Sequence, residues 1–410
     1  MNRERPGSAT SELFYFNHIP KTAGTSLRNA IERVFDPGAY NEYWLVDEYL
    51  RDSRARLHKY GLLSGHLMML PMAMSDRVHR MITFLREPQA RAFSHFMDLK
   101  RRPSSAWHSV ISQMSYEDFL FSPASEAELL SLQTRYLGMW APADYFATKD
   151  HLFDRALLTR RFRDPRVLEN AKRAIEHAWF VGLTEHYETA LDRLSKKLGV
   201  PLDGGVVLNT AHVKAAQPAL SDSGRVRLEW LNEFDSIVYA QALQRAELDY
   251  QTDGPLVPNP SFFRSHIDFQ SGFVGGGWHH AERRADSAGY CWSSVRTPWL
   301  AFLAPWSGAS MLGARVATWI SEDLVDLKVF VNGVEIEYDL SLANDEDGSN
   351  FMYLSAVTPP DLVDSHGLVK ITFELKRTIC PLDFGDTDDR ELGLYVNWVR
   401  FVPASGYIGL

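Results

Sequence analysis

An apolar strand that runs directly into a loop rich in anion donors is the feature that most constrains the fold of this chain. Residues 14–27 read FYFNHIPKTAGTSL, and the aromatic first part predicts a short buried strand. In the loop, Gly24 removes side-chain bulk so that backbone N–H groups can close on an oxyanion, and Lys21 adds a mobile positive charge. A helix that begins near Ser26 would direct its partial positive charge at the same point. The segment therefore predicts an anion-binding loop between a strand and a helix.

The spacing within this loop excludes two common nucleotide-binding loops. A Walker P-loop requires Gly-x-x-x-x-Gly-Lys-[Ser/Thr], whereas here Lys21 precedes Gly24. A dinucleotide-binding fingerprint requires Gly-x-Gly-x-x-Gly after the strand, and only Gly24 is present. Neither a nucleoside triphosphatase nor a dinucleotide-dependent enzyme is therefore expected.

The loop instead resembles the 5′-phosphosulfate-binding loop of sulfotransferases that use 3′-phosphoadenosine 5′-phosphosulfate (PAPS), in particular the group related to heparan sulfate and uronyl 2-O-sulfotransferases. In that group the loop reads much like HIPKTAGTS, which are the letters of residues 18–26 here. The resemblance implies an α/β fold, with a P-loop-like parallel sheet flanked by helices. It also implies that Lys21 stabilises the charge that develops on the leaving oxygen. The residues that would hold the 5′-phosphate are Lys21, Thr22, Ala23, Gly24, Thr25 and Ser26.

A second segment carries the other half of this resemblance. Residues 81–85 read MITFL, another buried-strand pattern, and are followed by Arg86 and then by a helix that contains Ser94. In the family, an arginine at the strand end and a serine eight residues later hold the 3′-phosphate of PAPS, and Arg86 and Ser94 have that spacing. A guanidinium offers a planar fork to a phosphate, and a hydroxyl two helical turns further on can close its other side. Taken alone, such an arginine more often belongs to a surface ion pair.

A third strand pattern ends in a candidate base. Residues 60–67 read YGLLSGHL, and in the 2-O-sulfotransferase group a Gly-His at this place carries the catalytic base. The resemblance therefore assigns to His66 the role of accepting the proton of the acceptor hydroxyl, which suits an imidazole. Some relatives have a second histidine two residues earlier, where this chain has Ser64. A structural histidine at the strand end is the alternative, and Glu42 or Glu48 is the second candidate for the base.

Two later segments resemble the family more weakly. Gln133 and Arg135, in the run LQTRYL, are candidates for holding an anionic or polyhydroxylated acceptor, and polar positions on an amphipathic helix are the alternative. Residues 208–210 resemble a loop that closes over the nucleotide, with Lys214 as a further phosphate ligand. A plain loop is the alternative there.

The composition disfavours several other functions. Lysine plus arginine number 43 and aspartate plus glutamate number 52, which gives a net charge of −9 and disfavours unspecific binding to nucleic acid. None of the usual metal-ligand motifs occurs, so no metal is expected. No apolar stretch approaches the roughly 20 residues of a membrane span, and the N-terminus shows no hydrophobic signal core. The eukaryotic members of the resembled family are Golgi membrane proteins, so the chain differs from them, and we expect a cytoplasmic protein of bacterial type without stable membrane insertion.

A proline-rich break divides the chain. Residues 253–260 read DGPLVPNP; before them helices and short strands alternate, and after them helix-period signals almost vanish. The later part shows short alternating apolar runs and the dipeptide Asn332-Gly333, a strong hairpin signal. We predict a PAPS-dependent sulfotransferase domain over residues 1–253 and an antiparallel β-sandwich of jelly-roll type over residues 254–410.

The predicted β-sandwich resembles, more loosely, a module appended to bacterial enzymes of surface-polysaccharide assembly. The match is carried by Gly-Trp-His at 277–279, by Glu282, by Trp292 and by the run DRELG. Exposed tryptophans would suit stacking on sugar rings, whereas buried ones would belong to the core. One disulfide within this domain stays open as an alternative. The two cysteines of the chain are Cys291 and Cys380.

Two functions from different classes remain. The first is a PAPS-dependent O-sulfotransferase that transfers the sulfuryl group to a hydroxyl of a carbohydrate or glycoconjugate by in-line displacement, with a histidine base and release of 3′-phosphoadenosine 5′-phosphate (PAP). The second is a non-catalytic glycan-binding protein that retains a nucleotide-binding shell. The presence of Lys21, Arg86, Ser94 and His66 together favours the first. The sequence identifies neither the acceptor nor the oligomeric state.

Overall fold

Contacts within the chain divide it into two units. The computed structural model describes residues 12–52, 57–75, 77–105, 107–141, 154–203, 217–283, 289–342 and 351–406. The N-terminal unit comprises the described parts of Met1–Arg28, Gly38–Arg193 and Val207–Asp253. The C-terminal unit comprises those of Asn29–Pro37, Leu194–Val206 and Gly254–Leu410. The first unit thus ends at the proline-rich break, although two short earlier segments belong to the second.

A four-stranded parallel sheet forms the centre of the N-terminal unit. Its strands are β1 (Glu12–Asn17), β2 (Leu62–Gly65), β3 (Val78–Leu85) and β4 (Phe180–Leu183), and they pair in the order β2-β1-β3-β4. All four residues of β2 and of β4 are buried, as expected of parallel strands that are covered on both faces. The predicted α/β organisation with a parallel sheet is confirmed.

The helix that follows β3 shows how local sequence sets the element boundaries. Pro88 is its first residue, where a missing N–H costs nothing, and Glu87 caps it by accepting from two backbone N–H groups at 3.0 and 2.6 Å. The helix after β1 begins at Gly24, two residues before the predicted start. The described α-helices are α1 (Gly24–Glu32), α2 (Val46–Arg51), α3 (Leu70–Met74), α4 (Pro88–Arg101), α5 (His108–Ile111), α6 (Tyr116–Phe121), α7 (Pro123–Glu128), α8 (Leu132–Gly138), α9 (Arg155–Phe162), α10 (Pro165–His177), α11 (Tyr187–Leu198) and α12 (Asp222–Thr252).

The C-terminal unit contains two antiparallel sheets. One apolar cluster takes side chains from both, among them Leu312, Val329 and Phe373, so the sheets pack face to face as a β-sandwich. The first sheet has the order β13-β14-β10-β16-β8-β7 with β5 beside β16, and the second has the order β12-β11-β15-β9-β6. The strands are β5 (His266–Ile267), β6 (Gly275–Gly276), β7 (Glu282–Arg283), β8 (Gly289–Trp292), β9 (Trp299–Leu303), β10 (Ser310–Thr318), β11 (Lys328–Val331), β12 (Val334–Ile336), β13 (Asp339–Leu342), β14 (Met352–Thr358), β15 (Leu368–Glu374) and β16 (Leu394–Pro403).

The predicted hairpin turn is present between β11 and β12. Asn332 and Gly333 have φ angles of 47° and 86°, the two positive values that a two-residue hairpin of this twist requires. Cys291 is buried and Cys380 is half-buried, and both are free thiols, so the open disulfide alternative is not realised. Trp278 is buried and donates from Nε1 to a backbone carbonyl at 2.8 Å. In the part of the chain that the structure describes, no helix is long and apolar enough to cross a membrane.

Candidate active site

The loops after β1, β2 and β3 open at one edge of the parallel sheet. β1 lies between the other two strands, with Asn17 paired to Gly65 on one side and to Thr83 on the other. The strand order therefore reverses at β1. In open parallel sheets, ligands bind in the crevice outside the carboxyl ends of the strands at such a switch point. The residues that follow Asn17, Gly65 and Leu85 are thus the ones that line the candidate site.

The loop after β1 has the backbone geometry of an anion-binding turn. Lys21 and Ala23 have φ angles of 70° and 63°, in the left-handed region that costs a non-glycine residue about 1 kcal/mol or more. Turns of this kind gather successive N–H groups on their concave side. The Thr22 hydroxyl donates to the Ile19 carbonyl at 2.9 Å and so holds the turn. Because α1 begins immediately afterwards at Gly24, the strained turn and the helix N-terminus are adjacent.

The contact with His18 makes glycine necessary at residue 24. A Cβ there would lie 1.9 Å from His18 Cδ2 and 2.0 Å from its Nε2, because the imidazole occupies that space. The imidazole is stacked on Phe16, with ring centroids 5.5 Å apart and an interplanar angle of 9°. In the first turn of α1, Thr25 is half-buried and Ser26 is buried. His18 therefore packs the end of β1 against the start of α1.

The two segments predicted to bind phosphate lie side by side. A guanidinium nitrogen of Arg86 donates to the Lys21 carbonyl at 3.3 Å. Gln133 holds the Arg86 backbone, since its Oε1 accepts from the Arg86 N–H at 3.0 Å and its Nε2 donates to the Arg86 carbonyl at 2.9 Å. Burial lowers the pKa of Arg86, and the carboxylates of Glu185 and Glu87 oppose that shift. Arg86 stays a cation at neutral pH, as arginine does in proteins.

A carboxylate holds the Lys21 ammonium. Asp98 Oδ1 is 3.1 Å from Lys21 Nζ, and Arg102, the C-cap residue directly after α4, pairs with the other carboxylate oxygen. Ser94 lies one helical turn before Asp98 and is half-buried. Residues four apart share a face of a helix. Ser94, Asp98 and the Lys21 ammonium therefore lie along one face of α4.

His66 has a fixed tautomer and an unprotonated ring nitrogen. Its Nδ1 is 2.7 Å from the His18 carbonyl, and because a carbonyl only accepts, Nδ1 carries the hydrogen and Nε2 carries the lone pair. Burial lowers the pKa of His66 to about 4; the hydrogen bond to His18 opposes this shift, and the positive charges of Arg102 and Arg28 add to it. At pH 7 His66 is therefore neutral, which is the state that a general base needs.

Aromatic rings surround the His66 imidazole. The ring centroids of His18, Trp44 and Tyr136 lie 4.4, 5.9 and 6.2 Å from that of His66. The Arg28 guanidinium lies over the Trp44 ring, 3.8 Å from its centroid. Burial also lowers the pKa of His18 well below its ordinary value. The aromatic surroundings thus favour the neutral form of both imidazoles.

Gln133 and Arg135 lie in the interior of the unit, with 0% and 5% of their surface exposed. Gln133 binds the backbone of Arg86, and Arg135 donates to the Ala127 carbonyl at 3.0 Å and lies 3.9 Å from the centroid of the Phe162 ring. These positions do not support the predicted contact with an acceptor, because neither side chain reaches the surface. Gln133 instead fixes the position of Arg86, because it forms hydrogen bonds to the Arg86 backbone from the interior of the unit.

The other sequence-based candidates have different outcomes. Glu48 caps α2, where its Oε2 accepts from two backbone N–H groups at 3.0 and 2.9 Å, while Glu42 is exposed. Residues 208–210 and Lys214 lie outside the described residues. Within the described ranges, no group of three or more His, Cys, Asp or Glu residues could hold a metal ion.

Sequence reasoning missed His18 and Asp98. His18 could have been found from its place in the letters HIP, at the end of a buried strand and directly before the loop. Asp98 could have been found from its spacing, because it follows Ser94 by four residues and precedes Arg102 by four. That spacing places it on the helix face of Ser94.

Comparison with known proteins gives little further information. No protein-family model matches the chain, and no curated protein is significantly similar to it. The similar solved structures include the C-terminal CBM6 of LamC from Zobellia galactanivorans (14% identity, TM-score 0.21, 33% of this chain and 97% of that one). They also include CsCBM6-3 from Clostridium stercorarium in complex with cellobiose (12% identity, TM-score 0.20, 31% and 83%). A third is the 4-O-methyl-alpha-glucuronidase BtGH115A (8% identity, TM-score 0.20, 77% and 38%). None of these three is a sulfotransferase by name, and the argument about function depends on the residues of this chain.

Proposed function

We propose that this chain is a PAPS-dependent O-sulfotransferase that transfers a sulfuryl group to a hydroxyl of a carbohydrate or glycoconjugate. The observation that carries the proposal is the hydrogen bond from Arg86 to the Lys21 carbonyl at 3.3 Å. It brings two anion-binding segments together at the switch point of a parallel sheet. The neutral imidazole of His66 lies at the same edge, because its Nδ1 is bound to the carbonyl of His18 at the start of the Lys21 loop.

The residues present fit a nucleotide that carries two separate phosphates. The turn at Lys21, Thr22 and Ala23 leads into the N-terminus of α1 and suits the 5′-phosphosulfate. Arg86, at the end of β3, and Ser94, two turns along α4, suit the 3′-phosphate. No metal is needed for this assignment, because lysine, arginine and backbone N–H groups supply the positive charge.

His66 and Lys21 would perform the chemistry. His66 Nε2 accepts the proton of the acceptor hydroxyl while the acceptor oxygen bonds to sulfur and the bond from sulfur to the bridging oxygen breaks. PAP leaves with the electron pair of that bond, and the Lys21 ammonium balances the charge on its oxygen. The products are the sulfated acceptor, PAP and a proton on His66. Catalysis would come from positioning and from charge stabilisation. The cytoplasmic location expected from the sequence is part of this proposal.

Binding of PAP tests the proposal first. Ligand that binds the folded state stabilises it, by about 2.7 kcal/mol at a hundredfold excess over Kd, so millimolar PAP should raise the melting temperature. Arg86→Gln should weaken PAP binding at least tenfold, since it removes a charge-assisted phosphate contact. The matched control is Arg80→Gln, which replaces an arginine within β3 that donates to Glu12 at 2.8 Å. This variant should retain the affinity of the wild type. No stabilisation by millimolar PAP would contradict the proposal.

A second candidate function is glycan binding without transfer, by the C-terminal unit. Three aromatic side chains lie close together there: Trp292 and Tyr395 have ring centroids 4.6 Å apart, and Trp292 and Trp319 have centroids 6.5 Å apart. Trp319 is 41% exposed, and a partly exposed aromatic ring suits stacking on a sugar. Transfer of labelled sulfate from PAPS to glycans of the host surface distinguishes the two functions. Glycan binding with no transfer to any of those glycans would favour the second.

A further inference from the structure

A carboxylate lies inside the part of the site that is proposed to bind the 5′-phosphosulfate of the donor. Asp98 Oδ1 is 3.1 Å from Lys21 Nζ, and both side chains are 19% exposed. An aspartate at that position repels a phosphosulfate and occupies the ammonium that would neutralise it. A loop built only to attract anions would not need this residue, so Asp98 has a separate effect on binding.

We propose that Asp98 is a built-in competitor for Lys21, which the 5′-phosphosulfate end of the donor must displace before Lys21 can act. The inference rests on the proposed function, because it takes the donor to be a 3′,5′-substituted adenosine nucleotide. The lysine stem is flexible and its ammonium has three donors that can be re-aimed. Arg102 already pairs with the other carboxylate oxygen of Asp98. The carboxylate therefore keeps a cationic partner after Lys21 has left it.

The competition is local to one end of the donor. Asp98 contacts the ammonium of Lys21, whereas Arg86 contacts its backbone carbonyl. A phosphate that binds Arg86 therefore does not depend on where the ammonium lies. A ligand that reaches only Arg86 and Ser94 leaves the Lys21–Asp98 pair closed. A ligand that reaches the loop of Lys21 must open it. Removal of the carboxylate should therefore strengthen binding of the second kind of ligand more than binding of the first, which loses only the repulsion from a nearby charge.

Three nucleotides and one isosteric substitution test this inference. Asp98→Asn keeps the shape of the side chain and removes its charge, and the partial exposure of residue 98 makes it compatible with folding. PAP and adenosine 5′-phosphate should bind this variant about fivefold more tightly than they bind the wild type, which is the upper end of the effect of a partly exposed ion pair. Adenosine 3′-phosphate should gain clearly less than these two, because it lies near the Asp98 charge through Ser94 but does not compete for the Lys21 ammonium. Affinities are measured by calorimetry on the full chain.

The same measurements in a Lys21→Met background complete a double-mutant cycle for Lys21 and Asp98. If Asp98 acts through Lys21, the gain from Asp98→Asn should disappear there, because the coupling between the two residues is removed. Equal gains for all three nucleotides, or a gain that persists without Lys21, would overturn the inference in favour of a general charge effect. Weaker binding of PAP by Asp98→Asn would overturn it too, since Asp98 would then orient Lys21 for the ligand. Failure of wild-type PAP binding is a different result, and it contradicts the proposed function itself.

Discussion

The two units of this chain differ in what they bury. Among the described residues, the C-terminal unit surrounds an apolar cluster drawn from both sheets, and Asp323 is its buried charged side chain. The N-terminal unit buries many ionisable side chains. They are His18, Arg28, Arg91, His95, Glu126, Arg135, Arg193 and Asp235.

The interior of the C-terminal unit is thus almost entirely apolar, whereas the interior of the N-terminal unit contains charged groups as well. Arg91 is fully buried, and none of its three guanidinium nitrogens has a hydrogen-bond partner in the described structure. Burial lowers the pKa of Arg91, and the nearby Asp235 carboxylate opposes the shift. Burying ions costs several kcal/mol each unless partners compensate. A contribution to stability does not explain why this unit buries such a side chain.

The largest expected effect is on the base at the edge of the parallel sheet. His66→Ala should lower the rate of sulfate transfer by about 10²–10⁴-fold, the usual contribution of a general base, and should leave PAP affinity within about twofold because Nε2 is assigned to the acceptor. The measurement is single-turnover transfer from labelled PAPS. The control is His58→Ala, an exposed histidine of the same unit, which should keep the wild-type rate. If His66→Ala turns over at the wild-type rate, His66 is not the base and another group accepts the proton.

The next effect compares a glycine from each unit. Gly24→Ala would place a Cβ 1.9 Å from the His18 ring, and overpacking of this severity should cost about 3 kcal/mol of unfolding free energy. Gly313→Ala, on β10, would place its Cβ at 3.5 Å from Trp398, an ordinary contact, and should be neutral or slightly stabilising. Urea-induced unfolding of the full chain measures both. Equal stability of the two variants would show that the end of β1 is free to move away from α1.

Local chemistry made part of the fold predictable. The dipeptide Asn332-Gly333 specifies its own turn, and Glu87 with Pro88 specifies a helix start, because each signal acts within a few residues. The order β2-β1-β3-β4 was not predicted. Parallel strands pair across long stretches of chain, and the sequence of one strand does not indicate which strand lies beside it. The polarity of Gln133 suggested a binding residue, but its side chain is used to hold the Arg86 backbone.

The sequence identified a site residue only where one short segment contains the complete motif to which that residue belongs. Lys21 and Arg86 each belong to a compact strand–loop–helix pattern, so their roles could be proposed from sequence. Their contact at 3.3 Å depends on the sheet order and could not. Asp98 was missed for a related reason: an acidic residue four positions before an arginine is an ordinary surface pair of a helix, and its other partner, Lys21, lies 77 residues earlier in the chain.

The smallest effect tests whether the buried imidazole makes the N-terminal unit sensitive to acid. The pKa of His66 is about 4 in the folded chain and about 6.5 when unfolded. Between these values the unfolded chain binds a proton that the folded chain does not bind. The contribution of His66 is therefore complete above pH 6.5 and is lost as the pH falls towards 4, with a loss of about 2 kcal/mol by pH 5.

Substitution of His66 isolates this contribution from the other titrating groups. His66→Gln cannot take up the proton, so the decrease in its unfolding free energy between pH 7 and pH 5 should be about 2 kcal/mol smaller than that of the wild type. The pKa of His18 is lowered as well, and because that ring stays in place the variant should keep a remaining slope of the same sign. Urea titrations at both pH values measure the two decreases. Identical decreases would mean that His66 binds its proton as readily in the folded chain as in the unfolded one. Burial would then not keep His66 neutral, which is the reason for its assignment as the general base.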